Sequence, residues 1–203
     1  FNKEIRMEKM NVKPATGKLG VLCVGLGAVT STFMTGVLMA RKGLAKPVGS
    51  MTQYDKMRVG RGENKKYLHY GEIVPLANLN DIVFGAWDVY PANAYESAVN
   101  AEVLKEKDIN PVKDELEKIV QMKAALDHNY ASRLDGDNVK DCKNRWDMME
   151  QLREDIRNFK VANNCDRIGV LWAASTEIYV PVDEKIHGTL AALEQAMKDD
   201  DKA

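Results

Sequence analysis

The sequence predicts an α/β protein built on a doubly wound parallel sheet, and three observations support that fold class. A continuous apolar run at residues 19–24 is typical of a strand that is buried on both faces. Apolar residues then recur at helical spacing from Ala28 onward, and strand-like runs follow at residues 82–84 and 168–172. Strands that alternate with helices imply parallel crossovers, with ligands bound at the carboxyl ends of the strands.

Helices are predicted between and after these strands. The first begins at Ala28 and ends before Gly43, because a basic pair and a left-handed glycine commonly terminate a helix. Residues 93–107 are predicted to form one helix, and Asn110 with Pro111 begins another, since proline suits a first helical turn. The remaining segments are a polar loop and two amphipathic helices, at residues 134–144, 146–162 and 190–197.

The composition predicts a globular protein. The chain has 203 residues, of which 45% are hydrophobic, enough for one large domain or two small ones. We place one domain at residues 19–203, after an extended lead-in at residues 1–18.

The 29 basic and 30 acidic residues argue against nucleic acid or an anionic membrane as partner. The three cysteines and three histidines lack disulfide or metal-ligand spacing, so we expect no metal site and a reducing cytoplasm.

The uncharged run from Leu19 to Ala40 has a second interpretation as a membrane anchor, because about 20 apolar residues span a bilayer. Glycines in the middle of the run and several hydroxyl residues along it favour a strand, a turn and a helix instead. We therefore expect no membrane association.

A glycine turn, Gly25-Leu26-Gly27, joins the first strand to the first helix and is the main functional signal. Such a turn brings backbone amides close to a pyrophosphate at the helix N-terminus, and it is typical of a Rossmann-like dinucleotide-binding fold. The usual third glycine is absent, and the hydroxyl groups that follow are candidate phosphate ligands. A purely structural turn is the alternative. The residues after Gly27 are Ala28, Val29, Thr30 and Ser31.

Further candidate cofactor contacts lie at the ends of the other strands. The dinucleotide fingerprint expects an acidic residue about 20 positions after the turn. Residues 49–53 contain none, and Asp55 has no clear strand before it. Asp88 is the better candidate because it follows a predicted strand, although it could also serve as a cap or turn residue. Small residues that would admit a cofactor, or merely begin a helix, are Ala173, Ala174, Ser175 and Thr176.

Two other features have competing interpretations. A basic stretch could receive a phosphorylated substrate or the 2′-phosphate of NADP, or it could be a solvated loop. Cys23 is predicted to pack within the sheet rather than react, because burial raises the pKa of a thiol. The basic stretch comprises Lys56, Arg58, Arg61, Lys65 and Lys66.

Several longer segments are linked in a recognisable order: GLGAVTST, GSMTQ, VFGAWDVYPANAYESA and VLWAASTEIY. With the helix segment EQLREDIRNFK, they make the chain similar to inositol-phosphate synthases from about Leu19 to its end. The family's loop Gly-Trp-Gly-Gly-Asn-Asn-Gly differs from residues 25–31, so side-chain amide contacts to the cofactor are not expected there. A bacterial-type member fits best.

The resemblance implies a lyase-type isomerase with tightly bound NAD as a recycled oxidant. Such enzymes convert glucose 6-phosphate into inositol phosphate by oxidation, enolisation, aldol cyclisation and reduction. The resemblance also implies a homo-tetramer, and it places residues 25–31, Asp88 and residues 173–176 along NAD. The family's lysines for enolate and phosphate are expected beyond Ala203, so the isolated chain is predicted not to catalyse cyclisation. The alternatives are another NAD-dependent oxidoreductase and a non-catalytic binding or assembly module.

Overall fold

A sheet of four parallel strands forms the centre of the computed structural model, which describes residues 16–174 and 177–201. The order across the sheet is β5-β4-β1-β6, the arrangement of the first four strands of a Rossmann fold. The predicted α/β class with a parallel sheet is confirmed. These strands are β1 (Lys18–Val24), β4 (Ile82–Asp88), β5 (Val120–Lys123) and β6 (Cys165–Trp172), and a separate hairpin contains β2 (Lys56–Val59) and β3 (Lys66–His69).

The described part of the chain contains eight α-helices, of which the last two follow the final strand. They are α1 (Ala28–Arg41), α2 (Met51–Tyr54), α3 (Ala94–Asn100), α4 (Glu106–Ile109), α5 (Lys113–Glu117), α6 (Arg145–Ala162), α7 (Glu184–His187) and α8 (Leu190–Lys198). Short 3₁₀ turns lie at Gly62–Asn64, Tyr70–Glu72, Leu79–Asp81 and Asn110–Val112.

The core lies on both faces of the sheet, because successive side chains of a strand point to opposite sides. Cys23 packs with Met34 of α1 on one face, while its neighbour Leu22 packs with Phe159 of α6 on the other. Burial raises the pKa of the Cys23 thiol to about 11, against a smaller opposing effect of a hydrogen bond with Thr30. The prediction that Cys23 packs within the sheet is confirmed.

The first predicted helix is confirmed as α1, and Gly43 beyond it has a φ of +68°. The strand and helix predicted at residues 168–172 and 146–162 are also present, with slightly wider bounds. Lys18 already belongs to β1, and residues 1–15 of the predicted lead-in lie outside the described residues.

The uncharged run of residues 19–40 is divided between β1 and α1, with the glycine turn between them. Among the described residues, no helix combines the length and the hydropathy that a membrane-spanning segment requires.

The single helix predicted at residues 93–107 was wrong. Asn93 and Glu96 form a capping box that begins α3, but Glu102 adopts a left-handed φ of +53° and the chain turns. The turn allows Ile109 and Val112, which follow in α4 and the next 3₁₀ turn, to enter the core beside α1. Tertiary packing therefore overrides the helical periodicity of this segment.

An insertion at residues 43–81 separates α1 from β4. It contains the antiparallel hairpin of β2 and β3, where no strand was predicted, and no residue of the insertion is buried. The basic stretch lies on and around this hairpin, with all five of its members exposed. The insertion lengthens the interval between the glycine turn and the second strand of the sheet, so an acidic residue at that strand cannot lie about 20 positions after the turn.

Candidate functional site

The glycine turn lies where the carboxyl ends of three strands meet. Gly25 has a φ of +91°, a left-handed conformation that disfavours residues with a side chain. Its amide donates to the Trp87 carbonyl of β4 at 2.9 Å, and the Ala173 amide beyond β6 donates to the Val24 carbonyl at 3.0 Å. The chain can therefore turn sharply from β1 into α1, between the ends of β4 and β6.

The N-terminus of α1 points its free amides out of this turn. Gly27 is the N-cap residue, and no side chain of the described residues caps it. A Cβ atom added at Gly27 would meet no described atom within 4 Å other than those of adjacent residues, so the space beside the start of the helix is open. Free amides and the positive end of the helix dipole together favour an anionic group at this point.

The hydroxyl groups after Gly27, which were predicted as candidate phosphate ligands, bond to the protein backbone instead. Thr30 and Ser31 are buried, and their hydroxyls donate to the carbonyls of Gly25 at 2.6 Å and of Ala28 at 3.4 Å. Val29 is exposed on α1. A contact from these three residues to a phosphate stays a prediction, and in this conformation it would fall to their backbone amides.

Asp88 holds the turn from the end of β4. One of its carboxylate oxygens accepts the Leu26 amide at 2.5 Å, and the other accepts the Tyr90 amide at 2.9 Å. Each oxygen retains a lone pair for another donor. Asp88 is the last residue of β4, the strand beside β1, and a Rossmann fold places its ribose-binding acid at this strand end. The position thus fits both interpretations, a turn residue and a ligand contact.

A cavity of about 540 Å³ opens at these strand ends. Of the twelve predicted cofactor contacts, seven line it, while Val29, Thr30 and Ser31 do not, and Ser175 and Thr176 lie outside the described residues. The seven are Gly25, Leu26, Gly27, Ala28, Asp88, Ala173 and Ala174.

Sequence reasoning missed the wall of the cavity that follows β5. This wall includes the small and apolar residues of segment 124–126, together with Tyr130 and Leu134. Its signal was weak because β5 has only four residues and mixes polar with apolar side chains. A search for every strand end, including short edge strands, would have included it.

Arg145 of α6 fixes the outer part of this wall. Its guanidinium forms an ion pair with Asp127 at 3.3 Å and lies 4.9 Å from the centre of the Tyr130 ring. Burial acts to raise the pKa of Asp127, but hydrogen bonds from Asn129 and the ion pair with Arg145 outweigh it and lower the pKa. Asp127 is therefore ionised and held in place at the cavity.

The charge of the cavity is negative. Its charged lining residues within the described ranges are Asp88, Asp127 and Glu177, and none of its described lining residues is a lysine or an arginine. The basic stretch and Asp55 do not line it. Among the described residues, no group of three potential ligands is placed to hold a metal ion.

The residues present fit a dinucleotide. Free helix amides lie beside a glycine without a side chain, a strand-end carboxylate lies next to them, and apolar walls extend to either side.

Comparison with known proteins supports the same conclusion. The family model for myo-inositol-1-phosphate synthase, in its NAD-binding part, matches residues 19–203. Inositol-3-phosphate synthase 1 of Bacteroides thetaiotaomicron is 60% identical over 192 residues, which are 94% of this chain and 44% of that protein. The inositol-3-phosphate synthase of Saccharomyces cerevisiae is 27% identical, with 90% of this chain and 39% of that protein covered.

The fold is shared as well. The crystal structure of inositol-3-phosphate synthase from Caenorhabditis elegans matches with a TM-score of 0.84 at 26% identity, over 94% of this chain and 40% of that one. The chain thus spans less than half the length of these relatives. Because the NAD-binding family model matches nearly the whole chain, the predicted cofactor, NAD, is confirmed, and the chain belongs to the myo-inositol-1-phosphate synthase family.

Proposed function

We propose that this chain is the NAD-binding part of an enzyme that converts glucose 6-phosphate into inositol phosphate. The observation that carries the proposal is the family match over residues 19–203, which contain the strand-end cavity. When bound, NAD supplies a hydride acceptor that oxidises the sugar and later returns the hydride. The net redox change is then zero, and the reaction is an isomerisation.

The cavity suggests where each part of the cofactor binds. The amides at the start of α1 would hold the pyrophosphate beside Gly27. Asp88 would accept hydrogen bonds from the hydroxyls of the adenosine ribose, as the acid after the second strand does in this fold. The small residues Ala173 and Ala174 at the end of β6 would then border the nicotinamide half.

The charges of the cavity favour NAD over NADP. A 2′-phosphate on the adenosine ribose would lie close to the Asp88 carboxylate, and the described lining residues offer it no lysine or arginine. The basic stretch, a candidate from the sequence for binding the 2′-phosphate, lies on and around the hairpin instead. We therefore expect much weaker binding of NADP than of NAD.

The same lack of cations among the described lining residues bears on the substrate. A sugar phosphate normally requires lysine, arginine or a cluster of amides, and the amides at the start of α1 are assigned here to the pyrophosphate. We infer that the phosphate of glucose 6-phosphate binds residues outside this cavity. Catalysis of cyclisation, assembly into a homo-tetramer and a cytoplasmic location belong in this proposal to the whole protein.

Two glycines, Gly27 at the N-cap of α1 and Gly36 within the helix, allow a matched test of the cofactor site. Apart from adjacent residues and the backbone of the helix itself, neither Gly27→Ala nor Gly36→Ala would place its new methyl within 4 Å of a described atom. The methyl at residue 27 would occupy the space beside the start of the helix, so we expect NAD affinity to fall about tenfold or more, or ~1.4 kcal/mol. Gly36→Ala should leave the affinity unchanged and raise stability by about 0.5–1 kcal/mol.

Calorimetric titration with NAD and with NADP, after removal of carried-over nucleotide, measures these effects. Equal loss of affinity in both variants would contradict the assignment of the pyrophosphate to Gly27. The whole enzyme is then supplied with glucose 6-phosphate and NAD. Inositol phosphate without accumulated NADH supports the proposed reaction, whereas stoichiometric NADH would indicate another oxidoreductase.

A further inference from the structure

We propose that Asn138 is a positioning residue, which fixes the Asp88 turn so that the carboxylate can grip the adenosine ribose. This inference rests on the proposed cofactor site. Asn138 does not line the cavity, so any effect on the cofactor must pass through the residues that it holds.

Asn138 connects the ends of two strands. Its side-chain amide donates to the Asp88 carbonyl at 2.8 Å and, more weakly, to the Met122 carbonyl at 3.4 Å. Its backbone amide donates to the Val89 carbonyl at 2.9 Å, and its carbonyl accepts the Ala124 amide at 3.0 Å. One residue therefore bonds both the end of β4 and the end of β5.

The segment that carries Asn138 behaves as a short additional strand. Val139 forms a parallel bridge with Ala124, and the Lys140 amide donates to the Ala124 carbonyl at 2.8 Å. Gly136 lies so close to the turn that an added Cβ would be 2.3 Å from the Val89 carbonyl oxygen. The segment is thus packed directly against the backbone that follows Asp88.

This packing determines the direction of the Asp88 carboxylate. The residue is held through its carbonyl by Asn138, and its carboxylate is held by the amides of Leu26 and Tyr90. Loss of the Asn138 amide would release the carbonyl while leaving the carboxylate itself intact. The expected consequence is a looser grip on the ribose, not the loss of the pyrophosphate site.

The test compares two ligands and two matched variants of the purified chain. NAD and its analogue that lacks the 2′-hydroxyl of the adenosine ribose are titrated against wild type and Asn138→Ala. The control is Asn163→Ala, because Asn163 is also half-buried and donates its side-chain amide to a carbonyl, that of Phe159 at 2.9 Å, away from the cavity. Thermal unfolding confirms that each variant folds.

We expect wild type and Asn163→Ala to bind NAD about tenfold more tightly than the analogue, which is the typical effect of one charged hydrogen bond. Asn138→Ala should reduce this ratio to about threefold or less, with little change in its affinity for the analogue. Asn138→Leu, which is similar in size but has no N–H donor and adds no charge, should reproduce the change. It replaces the alanine variant if that variant does not fold.

Two results would overturn these ideas separately. If wild type binds NAD and the analogue equally, the ribose role of Asp88 is wrong, and the proposed position of the adenosine ribose fails with it. If wild type discriminates and both Asn138 variants retain the full ratio, Asn138 is only structural, and the cofactor site stands. A uniform loss of affinity for both ligands in the Asn138 variants would likewise mean that Asn138 is only structural.

Discussion

Two tryptophans flank Val24 in the central sheet, and their surroundings differ completely. Trp87 of β4 pairs with Val24 on one side, and Trp172 of β6 pairs with it on the other. Trp87 is 3% exposed, whereas Trp172 is 62% exposed. Both residues line the cavity. At the same level of the sheet, one wall of the cavity is therefore buried and the other is exposed.

The cause lies in what covers each strand. Trp87 packs with Phe159 of α6 and donates its indole N–H to Asp155 of the same helix at 2.7 Å. Lys140 forms an ion pair with the same Asp155 oxygen, also at 2.7 Å. The Asp155 carboxylate thus binds both the Trp87 indole and the Lys140 ammonium group. Together these side chains cover the β4 side of the sheet.

The β6 side lacks such a cover in the described part of the chain. Val170 and Leu171 are 52% and 41% exposed, although strands of a doubly wound sheet are normally covered on both faces. In the proposed site, the adenosine half would therefore lie at the covered β4 side, while the nicotinamide half would border the open β6 edge.

The largest expected effect comes from Trp87→Ala. Removal of a fully buried indole leaves a cavity beside Phe159 and a carboxylate at Asp155 without its N–H donor, so unfolding should become easier by about 3–5 kcal/mol. Urea unfolding followed by circular dichroism measures the change. A cost below about 1 kcal/mol would show that the β4 side is no more rigid than the β6 side.

Lys140→Ala tests the polar part of the same cover. The side chains of Lys140 and Asp155 are only 10% and 21% exposed, so removal of the cation should cost about 2 kcal/mol. Lys113→Ala is the matched control because its pair with Glu117 is exposed, and it should cost less than about 1 kcal/mol. Equal effects in the two variants, measured by the same urea unfolding, would contradict the role of Lys140 in holding Asp155.

The sequence predicted the features that depend on local pattern. The strand, turn and helix around Gly25 are contiguous, so apolar runs and glycine spacing were enough to find them. Asp88 was found because it lies just past the apolar run at residues 82–84, which predicted the strand. These residues form the centre of the candidate site.

The supports of the site could not be predicted in the same way. The hydrogen bond between Trp87 and Asp155 joins residues 68 positions apart, and the bond between Asn138 and Asp88 spans 50 positions. No local periodicity encodes such polar contacts. Asn138 belongs to a segment that the sequence predicts as a polar loop, and its role becomes visible only when β4 and β5 are placed side by side.

The smallest expected effect comes from Trp172→Ala, which completes the comparison with Trp87→Ala at the same level of the sheet. Because 62% of this residue is already exposed, its removal should change the free energy of unfolding by less than about 1 kcal/mol. The two tryptophan variants, unfolded in urea under identical conditions, should therefore differ by at least about 2 kcal/mol. A similar cost for both would mean that the β6 edge of the chain is covered in solution, for example by self-association, and a dependence of the cost on protein concentration would identify that cause.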